Sequence, residues 1–216
     1  MESLRIFIAG QKAFGCAVFD LARRLGHEII GASAPLENSR GDGPDQLRGK
    51  CQTFNVPCLV AGSLTSRDIP PRTDLIVAAH SHDFIGRKTR YRAKYRAVGY
   101  HPSLLPRHRG RDSIEWAIRF GEPVTGGTIY WLDGVMDGGP IAAQDWCWIR
   151  PGDTAADLWR RELFPMGLRL FERVLSDVPH YYVSRQKQDP ELATFEPAID
   201  PPRKFRPDLL GLPAPD

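Results

Sequence analysis

Cysteine is scarce in this chain: Cys16, Cys51, Cys58 and Cys147 are the only four among 216 residues. They are too few and too scattered for a disulfide framework, and none forms a Cys-x-x-Cys pair. Reduced thiols are expected, with Cys16 and Cys147 in apolar contexts that read as packing. Long apolar runs are missing too, none approaching the roughly 18 residues of a membrane-spanning helix. The opening Met1-Glu2-Ser3-Leu4-Arg5-Ile6-Phe7-Ile8 lacks the apolar stretch and cleavage site of a signal peptide, which predicts a cytoplasmic protein. There is little surplus of either charge: a formal net charge of +3 does not by itself mark a nucleic-acid binder. What remains, 42% hydrophobic and 25% charged residues, is ordinary globular composition with enough length to bury a real core.

The patterning predicts an α/β domain. Leu4–Ala9 is a short apolar run broken by Gly10, and Ala13–Leu25 carries apolar residues at helical spacing. Gly26 closes that helix as a C-terminal cap, and His27–Ala32 follows as a second strand. Glu37–Pro44, rich in Gly, Asn, Asp and Pro, reads as an exposed loop. Val56–Val60 and Asp74–Ala79 look like further buried strands. Nearly continuous apolar strands alternating with helices predict a Rossmann-like, mostly parallel sheet with helices on both faces. The second half changes character: Gly127–Leu132 and Ile141–Ile149 are β-rich around the turn signal Gly138-Gly139-Pro140, and are expected to add antiparallel strands. Asp153 or Thr154 can cap a long amphipathic helix bearing Leu158, Leu163, Met166, Leu170, Phe171 and Val174. Beyond Pro179 prolines accumulate. The expected division is a catalytic domain over 1–178 and a Pro-rich C-terminal tail over 179–216.

The densest chemistry lies in Tyr100-His101-Pro102-Ser103-Leu104-Leu105-Pro106-Arg107-His108-Arg109-Gly110, directly after the apolar strand end Ala97-Val98-Gly99. Ligands of open α/β sheets bind beyond the carboxyl ends of the strands, which is where His101 falls. Two prolines and a glycine hold this loop in a fixed shape. Some thirty residues later comes a glycine-rich acidic loop, Leu132-Asp133-Gly134-Val135-Met136-Asp137-Gly138-Gly139-Pro140. A histidine on one loop and a carboxylate on another form an acid/base pair in which the carboxylate favours the imidazolium and orients it.

These two loops resemble the folate-dependent formyltransferase family, whose signatures read Asn-x-His-Pro-Ser-Leu-Leu-Pro and Asp-x-Gly-Pro. Here they stand as Gly99-Tyr100-His101-Pro102-Ser103-Leu104-Leu105-Pro106 and Asp137-Gly138-Gly139-Pro140. The resemblance runs from about Leu4 to Val178 and is strongest to the hydrolase domain of 10-formyltetrahydrofolate dehydrogenase, which shares Tyr-His-Pro-Ser-Leu-Leu-Pro-Arg-His-Arg-Gly. It also extends to the sugar-amine and methionyl-tRNA branches. It implies a cytoplasmic enzyme of one-carbon metabolism with 10-formyltetrahydrofolate as donor and no metal. It further implies His101 and Asp137 as catalytic residues, with the pterin held mainly by backbone of His82, Asp83, Phe84, Ile85, Leu132 and Asp133. Gln11 and Lys12 would meet the acceptor. Protonated His101 would donate to the formyl oxygen of a tetrahedral species, with Asp137 sustaining the imidazolium or relaying a proton. The family asparagine that donates a second hydrogen bond is Gly99 here. Losing one such donor typically costs on the order of 10²–10³ in rate.

Three functions follow from the resemblance. The favoured one is N-formyl transfer to a small amine, such as a nucleotide-linked amino sugar. The alternatives are hydrolysis of 10-formyltetrahydrofolate, for which Gly99 speaks, and a non-catalytic folate-binding or regulatory protein, against which intact His101 and Asp137 speak. Among the remaining polar residues, Ser103 reads as a loop-securing group and His108 as exposed or structural. His80 and His82 lack a third ligand for a metal. Arg87–Arg96, the most basic stretch, reads first as a solvated helix face and second as an attractor of an anionic ligand. No membrane partner and no nucleic acid are expected, and exposed apolar side chains around Trp146 and Trp148 could support a homodimer.

Overall fold

The apolar run after Leu4 becomes β1 (Arg5–Gly10), and the helical spacing behind it becomes α1 (Lys12–Arg24). The structure, a computed structural model, describes residues 2–62, 64–81 and 83–199. After α1, the chain forms β2 (Glu28–Ala34), α2 (Gln46–Thr53), β3 (Cys58–Val60) and β4 (Leu75–Ala79). It continues with α3 (Arg87–Arg90), β5 (Ala97–His101), α4 (Ser113–Arg119), β6 (Val124–Trp131) and β7 (Ile141–Trp148). It ends with α5 (Ala155–Leu158) and α6 (Phe164–Asp177). The seven strands form one sheet in the order β3-β2-β1-β4-β5-β6-β7. The first five pair in parallel, whereas β5 with β6 and β6 with β7 are antiparallel, as the β-rich second half predicts. The chain winds outward from β1 through β2 to β3, then crosses back so that β4 lies on the other side of β1. Such a reversal opens a crevice at the carboxyl ends of the strands.

Two apolar layers hold the sheet. The larger joins Ile6, Ile8, Leu75 and Val77 to Phe14, Val18 and Leu21 of α1 and to Met166, Phe171 and Val174 of α6. The smaller, on the opposite face, gathers Phe7, Ile76 and Ala97 beneath Leu64, Ile69, Ile85 and Ala93. All four cysteines are free thiols; Cys51 and Cys147 are buried, while Cys16 and Cys58 are partly covered.

Three local differences from the sequence pattern have physical reasons. The long helix predicted after Thr154 is interrupted: a wide π-helical turn, Trp159–Leu163, separates α5 from α6. Pro165 has no N–H to donate back to Arg161, so the chain widens there rather than continuing α-helical. Thr154 is the N-cap, in a reciprocal capping box with Asp157, while Asp153 instead pairs with Arg161 at 2.6 Å. Of the basic stretch Arg87–Arg96 only α3 is helical, and Arg90 is buried rather than solvated. Two helices, α2 and α4, carry no apolar periodicity long enough to see. Trp146 and Trp148 stand more than half exposed on the edge strand β7, edge to face at 5.3 Å. Among the described residues no helix is long and apolar enough to cross a membrane.

Candidate active site

His101 is the last residue of β5, and strand alternation decides what it faces. Tyr100 turns toward α6, where its hydroxyl donates to the Leu163 carbonyl at 2.7 Å. His101 turns the other way and lines a cleft of about 990 Å³ at the carboxyl ends of the parallel strands. The loop behind it is tied down at each step. Ser103 Oγ donates to the Arg107 carbonyl at 2.7 Å, the securing role its place predicts. Gly110, at φ +91°, takes a left-handed conformation suited to glycine and turns its N–H toward the acidic loop.

The acidic loop reaches back across the cleft. Its turn requires glycine: a Cβ on Gly139 would lie 1.7 Å from the Trp131 carbonyl oxygen. Asp137 thereby brings Oδ2 to 3.6 Å from His101 Nδ1, with both side chains largely buried. The same Oδ2 accepts from the Gly110 N–H at 2.8 Å, and Oδ1 accepts from the Tyr130 hydroxyl at 2.5 Å. Burial and the adjacent Asp137 push the Tyr130 phenol well above its ordinary range, which keeps it a proton donor. On its far side His101 Nε2 lies 2.7 Å from the His108 carbonyl. A carbonyl only accepts, so Nε2 carries the proton in the neutral ring, and an added proton goes to Nδ1 on the Asp137 side.

The two loops are also bridged by a residue that the sequence pattern does not single out. Gln188 Nε2 donates to the carbonyls of Asp137 at 2.8 Å and Gly139 at 2.7 Å. Its Oε1 accepts from Arg109 Nε and Nη2 at 3.1 and 2.7 Å. His108 is buried rather than exposed, with each ring nitrogen 3.1 Å from a carboxylate oxygen, of Glu122 on one side and Glu196 on the other. Its N–H donates to Thr194 Oγ1 at 2.8 Å. Neither Tyr130 nor Gln188 carries a sequence signal for these contacts, and those of Gln188 join groups far apart in the chain.

The residues expected to hold the donor and acceptor are distributed unevenly. Lys12, Asp83, Phe84, Ile85, Leu132 and Asp133 line the cleft with His101 and Asp137. His82 lies outside the described residues. Gln11, unlike Lys12, is buried at 5% exposure and is not among the residues that line the cleft. The Asp83 carboxylate is engaged internally, accepting from Ser33 Oγ and Gly62 N–H at 2.6 Å each. The Ile85 carbonyl accepts from Arg90 at 2.7 Å, which leaves its second lone pair. The Leu132 N–H is spent on the Ala97 carbonyl. Gly99 leaves no vacant asparagine-sized gap: a Cβ there would meet Leu132 Cδ1 at 3.0 Å and Tyr130 Cε1 at 3.4 Å. Phe84, Val135 and Met136 expose large apolar surfaces at the cleft mouth.

Comparison with known proteins identifies relatives in sequence and in fold. The formyl transferase family profile matches residues 69–174, the span that contains both loops. A cytosolic 10-formyltetrahydrofolate dehydrogenase from Xenopus laevis is 30% identical over 202 residues, covering 90% of this chain and 22% of that protein. The chain therefore spans about a fifth of the length of such relatives. Methionyl-tRNA formyltransferase from Thermotoga maritima is 26% identical, over 91% of this chain and 65% of its own. A crystal structure of an N-formyltransferase from Helicobacter canadensis, in complex with folinic acid and dTDP-3-aminofucose, has the same fold. It superposes with a TM-score of 0.72 at 16% identity, covering 89% of this chain and 70% of that one. Residues 69–174 thus match the formyl transferase profile across both loops, on a fold that the chain shares with these formyltransferase structures.

Proposed function

We propose that this protein transfers a formyl group from 10-formyltetrahydrofolate to a small amine, with His101 and Asp137 as its catalytic pair. The observation that carries the reading is the pairing of His101 Nδ1 with Asp137 Oδ2 at 3.6 Å on the wall of a 990 Å³ cleft. That volume is in the range of sites for small organic ligands. The apolar faces of Phe84, Val135 and Met136 suit burial of a flat ring system. The Helicobacter canadensis relative in complex with folinic acid and an amino-sugar nucleotide supports both the donor class and the acceptor class.

Attack of an amine on the formyl carbon moves charge onto the formyl oxygen. With Nε2 committed to the His108 carbonyl, Nδ1–H is the donor His101 has for that oxygen, and Asp137 is the acceptor to which the proton can return. Asp137 is fixed for that role by the Gly110 amide and the Tyr130 hydroxyl, both of which donate to it. The nucleophile's proton passes through water to Asp137; the tetrahedral species then collapses with the C–N10 bond breaking, and that proton moves on to N10, so that formylated amine and tetrahydrofolate are released and His101 keeps its own proton. Lys12 lines the same cleft and is our candidate for contact with the acceptor.

Hydrolysis of the same donor is the second reading, favoured by Gly99 with its filled surroundings and by the dehydrogenase relatives. One assay separates the two. 10-Formyltetrahydrofolate is supplied with and without a panel of amino sugars and nucleotide-linked amino sugars, and tetrahydrofolate, formate and formylated amine are measured. Transfer predicts formylated amine with tetrahydrofolate release that depends on the amine. Stoichiometric formate without any amine establishes hydrolysis instead, and no turnover in either arm refutes both.

A further inference from the structure

The basic stretch singled out in the sequence contributes nothing to the His101–Asp137 pair, yet it does not dissolve into a solvated helix face. Arg90, Lys94 and Arg96 converge with Arg185, from the segment after α6, around a second hollow of about 460 Å³. Its walls are Tyr91, Tyr95, Trp131 and Tyr181, and it meets the main cleft only through Leu132 and Asp133. Three guanidinium groups and an ammonium thus face one carboxylate, Asp133, whose Oδ1 already accepts from the Val135 N–H at 2.8 Å. Among the described residues none of the four cations makes an ion pair.

The cations are held in place by contacts that use only part of their donor capacity: Arg96 Nη1 donates to the Ala93 and Lys94 carbonyls at 3.0 and 3.3 Å, which leaves its Nη2 and Nε donors. Arg90 is only 6% exposed and gives a single hydrogen bond, to the Ile85 carbonyl. Arg185 lies over the Trp131 ring at 3.7 Å and Arg96 over Tyr91 at 4.2 Å. Stacking fixes the plane of a guanidinium while its edge donors stay free to bind an oxyanion. The crowding has an electrostatic cost: burial and the neighbouring Arg96 push the Arg185 guanidinium below its ordinary value. Like charges packed this way are stabilised when an anion enters between them.

We infer that this hollow is an anion-binding site, separate from the catalytic pair, for a compact polyanion bearing phosphate or clustered carboxylate oxygens. Arg96 and Arg185 provide forked donors from two walls, Arg90 a donor from the floor and Lys94 a point charge at the rim. Cations already lie over the Trp131, Tyr91 and Tyr95 rings, so the ligand is recognised by its charge rather than by stacking on these rings.

The test is calorimetric titration at low ionic strength with two probes, inorganic pyrophosphate and a tri-γ-glutamate peptide. Binding of either probe supports the site, and the tighter of the two identifies phosphate or carboxylate as the source. Arg185→Gln and Arg96→Gln are each expected to weaken binding about tenfold, the loss of a charge-assisted hydrogen bond. Arg185 sits at the surface, so its variant keeps the fold even where the Arg96 variant does not. Affinity should also fall steeply with added salt. His101→Ala should leave binding unchanged. The inference is overturned by an absence of binding with both probes, by undiminished affinity in a folded Arg185→Gln protein, or by loss of binding in His101→Ala.

Discussion

At the scale of single residues, the chemistry concentrates on one nitrogen. Because His101 Nε2 is committed to a backbone carbonyl, only Nδ1 can hold and release a proton beside Asp137. His101→Ala and Asp137→Ala are therefore expected to lower tetrahydrofolate release by about 10²–10⁴-fold, the usual worth of a positioned acid/base group. Their circular dichroism should remain that of the native chain. Tyr130→Phe removes one of the hydrogen bonds that fix Asp137. We expect kcat to fall about tenfold, in line with the loss of a hydrogen bond to a charged group. KM for the donor should hold, whereas a merely structural role would move both through unfolding. Gly99→Asn tests whether the family amide can be restored. Its Cβ already presses on Leu132 and Tyr130, so the expected outcome is a loss of about 1–3 kcal/mol from overpacking, with no gain in rate. A faster variant would mean that Leu132 yields and the amide reaches the formyl oxygen. His101 and Asp137 were legible in the sequence because glycine and proline bracket them in fixed loops. Tyr130 was not, since nothing in a strand pattern says which residue its hydroxyl will meet.

At the scale of elements, the second half of the chain depends on the junction before α5. Asp153, just before α5, is joined to Arg161 in the middle of the π-helical turn by bonds of 2.6 and 2.7 Å. The Arg161 guanidinium, aided by the Arg150 N–H, holds the Asp153 carboxyl down at about 2. A carboxyl lowered in the folded state stabilises the fold above its unfolded value, near 3.8, and loses that contribution as pH falls toward 2. Asp153→Asn should therefore lower Tm at neutral pH, with the difference from the native chain closing between pH 4 and 2. An equal difference across that range would dissociate the pair from stability. The helix itself was readable from Leu158 to Val174 by its apolar spacing, but its interruption was not. Periodicity registers which side chains face the core, and a widened turn changes the backbone while keeping that face inward.

At the scale of the whole molecule, the segment beyond α6 is a strap across the loops that carry His101 and Asp137. Gln188 joins Arg109 to the acidic loop, Thr194 holds the His108 amide and Glu196 faces its ring. Further along, Trp116 Nε1 donates to the Pro197 carbonyl and the Ile199 N–H donates to Asp112. The Gln188→Ala variant is expected to lower kcat with little change in donor KM. In a His101→Ala background it should cost nothing further, because residues acting through one group are not additive. A full additional loss in the double variant would show that Gln188 acts elsewhere. Composition marks 179–216 as a proline-rich tail, but composition carries no information on where an extended chain lies.

The sequence by itself determined the alternation of strands and helices and the two loops that carry His101 and Asp137. Each of these rests on local rules: apolar period, proline and glycine placement, and a motif contiguous in the chain. Only the tertiary structure decided which nitrogen of His101 faces Asp137, that Gln11 is buried and that a Cβ at Gly99 would press on Leu132. It alone gathered Arg90, Lys94, Arg96 and Arg185 around one hollow. Those outcomes depend on groups brought together from distant parts of the chain, and long-range proximity is fixed by packing, not by any pattern a short window of residues can carry.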